Sequence, residues 1–354
     1  MKKMKKVLFL MMIAIVVFGC KQKATNSEKK STVELSGAGA TFPQPFYNII
    51  FKAFSDKSGN NVTYGGIGSG GGISSLKDKT VDFGASDAYL SDKELADMGS
   101  EVLHIPTCMG AVVLAYNLPE LPKLNLNGEI VADIYLGKIK KWDDAKIRAL
   151  NPNAKLPNQT ITPVYRSDGS GTTFVFSDYM TKVSPEWAEK IGTGKSLVWP
   201  TGIASKGNPG VAGTIQQTKG AIGYVGSEYS LALNIPAALM QNSAGNFIEA
   251  GTASISAAAT GELPADMRTM ITNSSEPDAY PISCFTWILI YKEQAYAKRD
   301  LNKAKGLIDL LNYVLSDDAQ KVAATIHYSP LPEKAVQNAK AILSTVTFEG
   351  NAIK

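Results

Sequence analysis

The sequence predicts an α/β fold. Segments with the alternating or continuous apolar character of strands take turns with segments whose apolar residues recur at helical spacing. Several connections are rich in glycine, serine and threonine and stand directly before a predicted helix. At 354 residues the chain is longer than one hydrophobic core usually supports, so two domains are expected.

The chain opens with an export signal. Four lysines among the first six residues precede an apolar run at 7–18, and Gly19 and Cys20 follow. This pattern predicts a lipoprotein signal peptide over 1–19, with Cys20 as the lipidated first residue of the mature chain. The polar residues that follow predict a flexible tether over 20–32. An ordinary secretory signal with an unmodified cysteine is the alternative.

The charge gives no reason to expect a nucleic-acid partner. The formal net charge of +4 is carried by the four lysines of the signal, so the mature chain is close to neutral. No basic face interleaved with aromatic residues follows. The two histidines and the cysteines lack zinc-type spacing, so neither a metal nor a cofactor is expected. Export permits a disulfide between Cys108 and Cys284, and two buried free thiols are the alternative.

The first predicted helix illustrates how the elements are assigned. Prolines stand in its first turn, and Tyr47, Ile50, Phe51 and Phe54 fall on one helical face. Later elements follow from the same periodicities and from a capping box at Ser91. The predicted strands are 33–36, 61–64, 81–87, 103–106, 111–117, 161–165, 221–225 and 282–291. The predicted helices are 43–57, 73–77, one from about 92, 128–136, 143–150, one from about 171, 301–325 and 332–343, and 199–213 is expected to be a glycine-rich loop before a short helix.

Three loops have the chemistry of an anion site. Residues 40–42, 68–70 and 170–172 each place hydroxyl groups and free backbone N–H groups at a predicted helix start. Such N–H groups, aided by the helix dipole, bind oxyanions. Arg166 adds a fixed cation, and Asp168 is a partner for it. One such loop is often only a turn or a cap, but three of them together with Arg166 predict a ligand site.

Asp87 at the end of a predicted strand decides which anion is expected. A carboxylate repels an oxyanion unless the ligand carries a proton that the carboxylate accepts. Hydrogen phosphate has such a proton, whereas sulfate at neutral pH has none. Facing sulfate, an unpaired buried carboxylate costs about 1–3 kcal/mol, which is about tenfold to a few hundredfold in affinity. A helix cap or a surface acid is the alternative role for Asp87.

The chain resembles the phosphate-binding proteins of bacterial ABC-type phosphate uptake systems. The resemblance runs in order from about residue 36 to about residue 290. It is carried by residues 37–43 (GAGATFP), 66–69 (GIGS), 81–87 (VDFGASD), 133–142 (DIYLGKIKKW), 166–172 (RSDGSGT) and 220–225 (GAIGYV). It implies a two-lobed periplasmic-binding-protein fold of type II with the ligand cleft between the lobes.

The resemblance also implies the lobes and the roles of single residues. Residues 33–106 with 285–354 would form lobe I and residues 107–284 lobe II, and hinge crossings near 106–109 and 282–286 would bring Cys108 and Cys284 together. The implied phosphate ligands from lobe I are Thr41, Phe42, Ser69 and the proton acceptor Asp87. Those from lobe II are Arg166, Ser170, Gly171 and Thr172, with Asp168 bracing Arg166. Gly70 and Tyr89 depart from the family pattern.

The sequence therefore predicts a non-enzymatic receptor, anchored to the membrane through Cys20 and facing the periplasm or cell exterior. It would bind inorganic phosphate and deliver it to the permease subunits of an ABC transporter. A binding protein for another tetrahedral oxyanion such as sulfate is the nearest alternative. An alternative of another class is a secreted phosphoryl-transfer enzyme with Ser170 as nucleophile.

Overall fold

An eight-stranded mixed sheet runs through the protein, and helices pack on its faces. The computed structural model describes residues 32–353. The predicted signal peptide, Cys20 and nearly all of the predicted tether lie outside these residues. Within 32–353, no helix has both the length and the apolar character needed to cross a membrane.

The strands and helices alternate along most of the chain, as predicted. The strands are β1 (Glu34–Gly39), β2 (Asn61–Gly66), β3 (Phe83–Ser86), β4 (Val102–Tyr116), β5 (Asn125–Leu126), β6 (Thr162–Arg166), β7 (Ile203–Ser205), β8 (Ala221–Gly226), β9 (Leu239–Gln241), β10 (Phe247–Ile248), β11 (Ser283–Tyr291), β12 (Thr347–Phe348) and β13 (Asn351–Ala352). The helices are α1 (Gln44–Ser58), α2 (Ser69–Lys77), α3 (Asp92–Asp97), α4 (Gly128–Tyr135), α5 (Ala145–Leu150), α6 (Gly171–Val183), α7 (Pro185–Lys190), α8 (Gly207–Gln217), α9 (Ser227–Ala232), α10 (Thr252–Ala257), α11 (Leu301–Val314), α12 (Asp317–Thr325) and α13 (Glu333–Leu343).

The large sheet has two halves that share its central strands. Its strand order is β2-β1-β3-β11-β4-β8-β6-β7. In the first half β1 lies parallel to β2 and β3, and in the second half β6 lies parallel to β7 and β8. In each half, the loops at the carboxyl ends of the parallel strands lead into helices, which is the usual place for a ligand in an α/β sheet.

Strands β4 and β11 connect the two halves. β4 is 15 residues long and replaces the two shorter strands predicted at 103–106 and 111–117. It pairs with β11 from Val102 to Ala111 and with β8 from Val112 to Tyr116. The chain therefore crosses between the halves within continuous strands rather than through loops.

Two stretches predicted as glycine-rich loop are helical. α2 begins at Ser69, so its first turn contains the glycines that were expected to precede it. A Cβ on Gly72 would lie 2.5 Å from the carbonyl oxygen of Ala38, so glycine lets this turn pack directly on β1. The short helix expected after 199–213 is present as α8, but it begins at Gly207, inside that stretch, with Pro209 near its start and Val211 and Ile215 buried.

Aromatic residues fill the interior beside each half of the sheet. The face predicted for α1 is buried, and Tyr47 stacks on Phe51 with ring centroids 4.9 Å apart. Beside the second half, Phe176 of α6 stacks on Tyr224 of β8 with centroids 4.4 Å apart. These contacts fix the starts of α1 and α6 relative to the strands beneath them.

The two cysteines of the described residues are free thiols buried on the central strands. Cys108 of β4 lies opposite Thr286, and Cys284 of β11 lies opposite Gly110. The two residues are thus neighbours on adjacent strands without a disulfide. Burial raises the pKa of both thiols, which makes them poor nucleophiles.

We expect Cys108 and Cys284 to resist a water-soluble thiol reagent in the folded protein. Both should react after denaturation without reductant, because burial alone protects them. Mass mapping of the labelled peptides measures this, with a reduced sample as control. Recovery of the two peptides joined by a disulfide would contradict the structure.

Candidate anion-binding site

Loops from the two halves of the sheet meet at the starts of α2 and α6. The backbone N–H of Gly171 donates to Ser69 Oγ at 3.0 Å, and Thr172 Oγ1 donates to Asp87 Oδ2 at 3.3 Å. The backbone N–H of Gly70 donates to the carbonyl of Gly169 at 2.8 Å. Residues about a hundred positions apart in the chain therefore form one buried polar cluster.

Arg166 is the fixed cation of this cluster. It ends β6, and its side chain is almost fully buried. Its Nε and Nη2 donate to the two carboxylate oxygens of Asp168 at 2.8 and 2.6 Å, and Nη1 lies 3.4 Å from Thr172 Oγ1. The two-point pairing fixes the plane of the guanidinium group and turns Nη1 towards α6.

Asp168 is itself held in place. Its Oδ1 also accepts the backbone N–H of Gly207 at 2.9 Å, at the start of α8. Burial acts to raise the pKa of Asp168, but the hydrogen bonds and the charge of Arg166 outweigh burial and hold the pKa below its usual range. Asp168 is therefore ionised at neutral pH and faces the guanidinium group of Arg166 as a carboxylate.

Thr41 reaches the cluster through Asn208, which sequence reasoning did not identify. The backbone N–H and Nδ2 of Asn208 donate to Thr41 Oγ1 at 3.0 and 2.9 Å. The same Nδ2 lies 3.1 Å from Thr172 Oγ1. Tyr229, also missed, donates its hydroxyl proton to the carbonyl of Thr41 at 2.5 Å. Asn208 stands in a segment interpreted as loop, so no local pattern identified it.

Phe42 and Ser170 have partly structural roles. Phe42 stands just before α1, its ring is buried against Tyr328, and its carbonyl accepts the Tyr328 hydroxyl at 2.5 Å.

Ser170 is the N-cap of α6, and its Oγ accepts the backbone N–H of Thr173 at 3.0 Å. The backbone N–H of Ser170 donates to the carbonyl of Lys195 at 2.8 Å.

Asp87 is the one candidate whose carboxylate has contacts from both halves. Its Oδ1 accepts the hydroxyl of Thr286 on β11 at 2.9 Å, while Oδ2 faces Thr172. Burial raises the pKa of Asp87 to about 7, and the contacts with Thr286, Arg166 and Thr172 act against this rise. Asp87 therefore changes charge near neutral pH.

The arrangement suits a small anion that carries one proton. The cation of Arg166, the hydroxyls of Thr41, Ser69 and Thr172, and the N–H groups at the helix starts are donors. The ionised form of Asp87 is an acceptor only, so a bound group must offer it a proton.

Comparisons with known proteins agree with this chemistry. Residues 24–318 match the model of the PBP superfamily domain. The phosphate-binding protein PstS of Xylella fastidiosa is 38% identical over 349 residues, which cover 93% of this chain and 94% of that protein. The phosphate-binding protein PstS of Pasteurella multocida is 41% identical over 313 residues, covering 87% of this chain and 89% of that protein.

A solved structure gives the fold. A high-affinity periplasmic phosphate-binding protein (PfluDING), solved with bound phosphate, aligns with a TM-score of 0.72 at 21% identity over 91% of this chain and 96% of that one. The expected α/β fold with two lobes is thereby confirmed. The chain belongs to the PBP superfamily and, within it, to the family of PstS phosphate-binding proteins.

Proposed function

We propose that this protein binds inorganic phosphate outside the cytoplasmic membrane and delivers it to the permease of an ABC-type importer. The observation that carries the proposal is the buried carboxylate of Asp87 among anion-binding donors. Arg166 Nη1 and Asp87 Oδ2 both face Thr172 Oγ1, at 3.4 and 3.3 Å. A ligand between these groups must be an anion and must also donate a hydrogen bond, as hydrogen phosphate does.

The ligands we propose are those expected from the sequence: Thr41, Phe42, Ser69, Asp87, Arg166, Ser170, Gly171 and Thr172, with Asp168 as the brace of Arg166. Asn208 supports this set by positioning Thr41 and Thr172 from α8.

A phosphoryl-transfer enzyme is the less favoured function. The Oγ of Ser170 accepts a backbone N–H as a helix cap, and no histidine contacts it among the hydrogen bonds of residues 32–353. His104 accepts the backbone N–H of Leu90, and burial lowers its pKa to about 3. A serine without a base to activate it is a poor nucleophile. We therefore propose binding without turnover.

We propose that the lobes have the boundaries expected from the sequence and that they close over the ligand by bending within β4 and β11. Residues 33–106 with 285–354 form lobe I, and residues 107–284 form lobe II. The pairing of β4 with both β11 and β8 supports this assignment, since one strand belongs to both halves of the sheet. Closure would hold phosphate away from water and give the permease a distinct form to recognise.

The attachment to the membrane is part of the same proposal. Cys20 would carry the lipid, and residues 21–32 would tether the receptor beside its transporter. Such tethering raises the effective concentration of the receptor at the permease without any added contact.

Isothermal titration with phosphate and sulfate tests the function. We expect tight phosphate binding and a much weaker response to sulfate, because ionised Asp87 repels an anion that has no proton to donate. Asp87→Asn should lower the preference for phosphate over sulfate by at least about tenfold, since the amide can donate a hydrogen bond to either ion. Asp56→Asn, on an exposed side chain paired only with Lys52, is the control. Equal affinities of the unaltered protein for the two ions would refute the assignment.

A second prediction concerns the ion pair between Glu94 and Lys195, which joins the proposed lobes at the edge of the site. Lys195 Nζ lies 2.6 and 2.7 Å from the two Glu94 oxygens, and the Lys195 carbonyl holds the N–H of Ser170. Burial acts to raise the pKa of Glu94, but Lys195 and Ser91 hold it below its usual range, so the Glu94 carboxylate is charged at pH 7. The pair is partly exposed, and such pairs contribute about 0.2–1 kcal/mol.

Removal of this pair should therefore speed phosphate release. We expect Glu94→Gln and Lys195→Met each to raise the dissociation rate by up to about fivefold at low salt, and less at high salt. Stopped-flow release into a phosphate trap measures the rate. Lys190→Met is the control, because its pair with Glu186 lies within one helix. Release rates unchanged from those of the unaltered protein at low salt would contradict a closing role.

A further inference from the structure

Thr286 is a buried hydroxyl in an otherwise apolar stretch of β11, directly behind Asp87. It is fully buried, and its neighbours Phe285 and Trp287 are also fully buried. Its Oγ1 lies 2.9 Å from Asp87 Oδ1 and 3.4 Å from the carbonyl oxygen of Ser86. The hydroxyl has one proton to donate, and the shorter contact to a charged acceptor identifies the carboxylate as its partner.

The backbone around Thr286 is shaped to aim this side chain. The register between β11 and β4 shifts at Thr286 and Trp287, so that Thr286 lies opposite Cys108 and Trp287 opposite Pro106. Irregularities of this kind redirect single side chains and are common beside functional sites.

The carbonyl of Thr286 is held by a residue of the adjacent strand β4. It accepts the hydroxyl of Thr107 at 3.2 Å, and Thr107 Oγ1 lies 2.9 Å from the hydroxyl of Tyr47 on α1. The backbone of Thr286 is thus tied through β4 to the first helix of lobe I.

The two oxygens of Asp87 consequently have different surroundings. Oδ1 is occupied by the Thr286 hydroxyl, on the side of the central strands. Oδ2 faces Thr172, whose hydroxyl is also near Arg166 Nη1 and Asn208 Nδ2 at 3.4 and 3.1 Å. Oδ2 is therefore the oxygen on the anion-binding side.

We propose that Thr286 is a positioning residue that sets the ion preference of the site, by holding Asp87 as an ionised acceptor with Oδ2 towards the ligand. This inference rests on the proposed phosphate-binding function. Without the Thr286 donor, Asp87 can take up a proton, and as a neutral acid it can donate to an anion that has no proton of its own. The site would then accept sulfate more readily.

The charges around Asp87 make this donor important. Burial raises the pKa of Asp87 to about 7, and among the groups that oppose the rise the Thr286 hydrogen bond is foremost, ahead of Arg166 and Thr172. The titratable and charged groups whose charges couple to Asp87 from the elements around it are Tyr47 of α1, Tyr64 of β2, Cys108 of β4, Cys284 of β11, Arg166 of β6, and Glu228 and Tyr229 of α9. Arg166 is the one cation among them.

The test compares Thr286→Val with the unaltered protein by titration of phosphate and sulfate from pH 5.5 to pH 9. Valine keeps the shape of threonine and removes the donor. The protonation of phosphate itself affects both proteins equally. It therefore cancels in the ratio of the phosphate dissociation constant of Thr286→Val to that of the unaltered protein. We expect this ratio to be about tenfold or more below pH 7 and to shrink towards high pH, where Asp87 ionises in both proteins. The preference for phosphate over sulfate at pH 7 should fall by a similar factor.

Thr286→Ser keeps a hydroxyl and should restore both the pH profile and the ion preference. Thr272→Val is the control, because it removes a buried hydroxyl that bonds Asp178 and Lys182 and contacts neither Asp87 nor Thr286, and it should change affinity, if at all, by the same factor at every pH. If Thr286→Val unfolds below the assay temperature, Thr286→Ala can replace it in the same titrations.

The outcomes separate the two proposals. If the unaltered protein binds no phosphate, the proposed function fails and the role of Thr286 fails with it. If it binds phosphate but the Thr286→Val ratio does not vary with pH and sulfate discrimination is unchanged, only the role of Thr286 is overturned. A pH-dependent ratio that Thr286→Ser restores supports both.

Discussion

The structure depends on a buried carboxylate that is stabilised from both lobes. Asp87 is almost completely buried, and an ionised carboxylate in that position needs charge or hydrogen bonds to compensate for lost water. Thr286 provides a hydrogen bond from the central strands, while Thr172 and the charge of Arg166 come from the second half of the sheet. Contact between the lobes thus offsets part of the cost of burying the charge that we propose selects the ion.

That contact requires glycine where the loops touch. A Cβ on Gly171 would lie 2.6 Å from both the backbone nitrogen of Asp87 and Ser69 Oγ. A Cβ on Gly68, where φ is +87°, would lie 2.3 Å from Asp168 Oδ2. A Cβ on Gly70 would lie 3.1 Å from Gly169 Cα, so the departure of Gly70 from the family pattern allows a close backbone approach. The glycines matter less as flexible residues than as places where two backbones meet.

The sequence best predicts contacts between residues that are close together in the chain. The pairing of Arg166 with Asp168 spans two residues, and the capping box of Ser91 and Glu94 spans three, and both are present. The sequence was less informative where partners are distant. Asn208 lies 167 positions from Thr41, and Thr286 lies 199 positions from Asp87. Nothing near Asn208 distinguishes it from a loop residue, whereas Thr286 has a weak signal as a hydroxyl residue within the apolar run 285–290.

Glycine content also misled the assignment of helices. Residues 70–72 and much of 199–213 were interpreted as loop because glycine weakens helices in isolation. In the protein, α2 packs so closely on β1 that Gly72 has no room for a side chain, and α8 buries Val211 and Ile215 against the sheet. Tertiary packing outweighs the intrinsic preference at both places, and both helices present their first turns to the site.

A second buried carboxylate bears on the role proposed for Asp87. Glu228 of α9 is also buried, and neither of its carboxylate oxygens makes a hydrogen bond of good geometry within residues 32–353. Burial, with a smaller contribution from the charge of Asp87, raises the pKa of Glu228 to about 8. Glu228 is therefore mostly neutral at pH 7 and adds little negative charge against an anion. Asp87 is buried to a similar degree, but hydrogen bonds from Thr286 and Thr172 and the charge of Arg166 act against the rise of its pKa, so a larger share of Asp87 than of Glu228 is ionised at pH 7. This difference in partners supports Asp87, and not Glu228, as the carboxylate that we propose accepts the proton of the ligand.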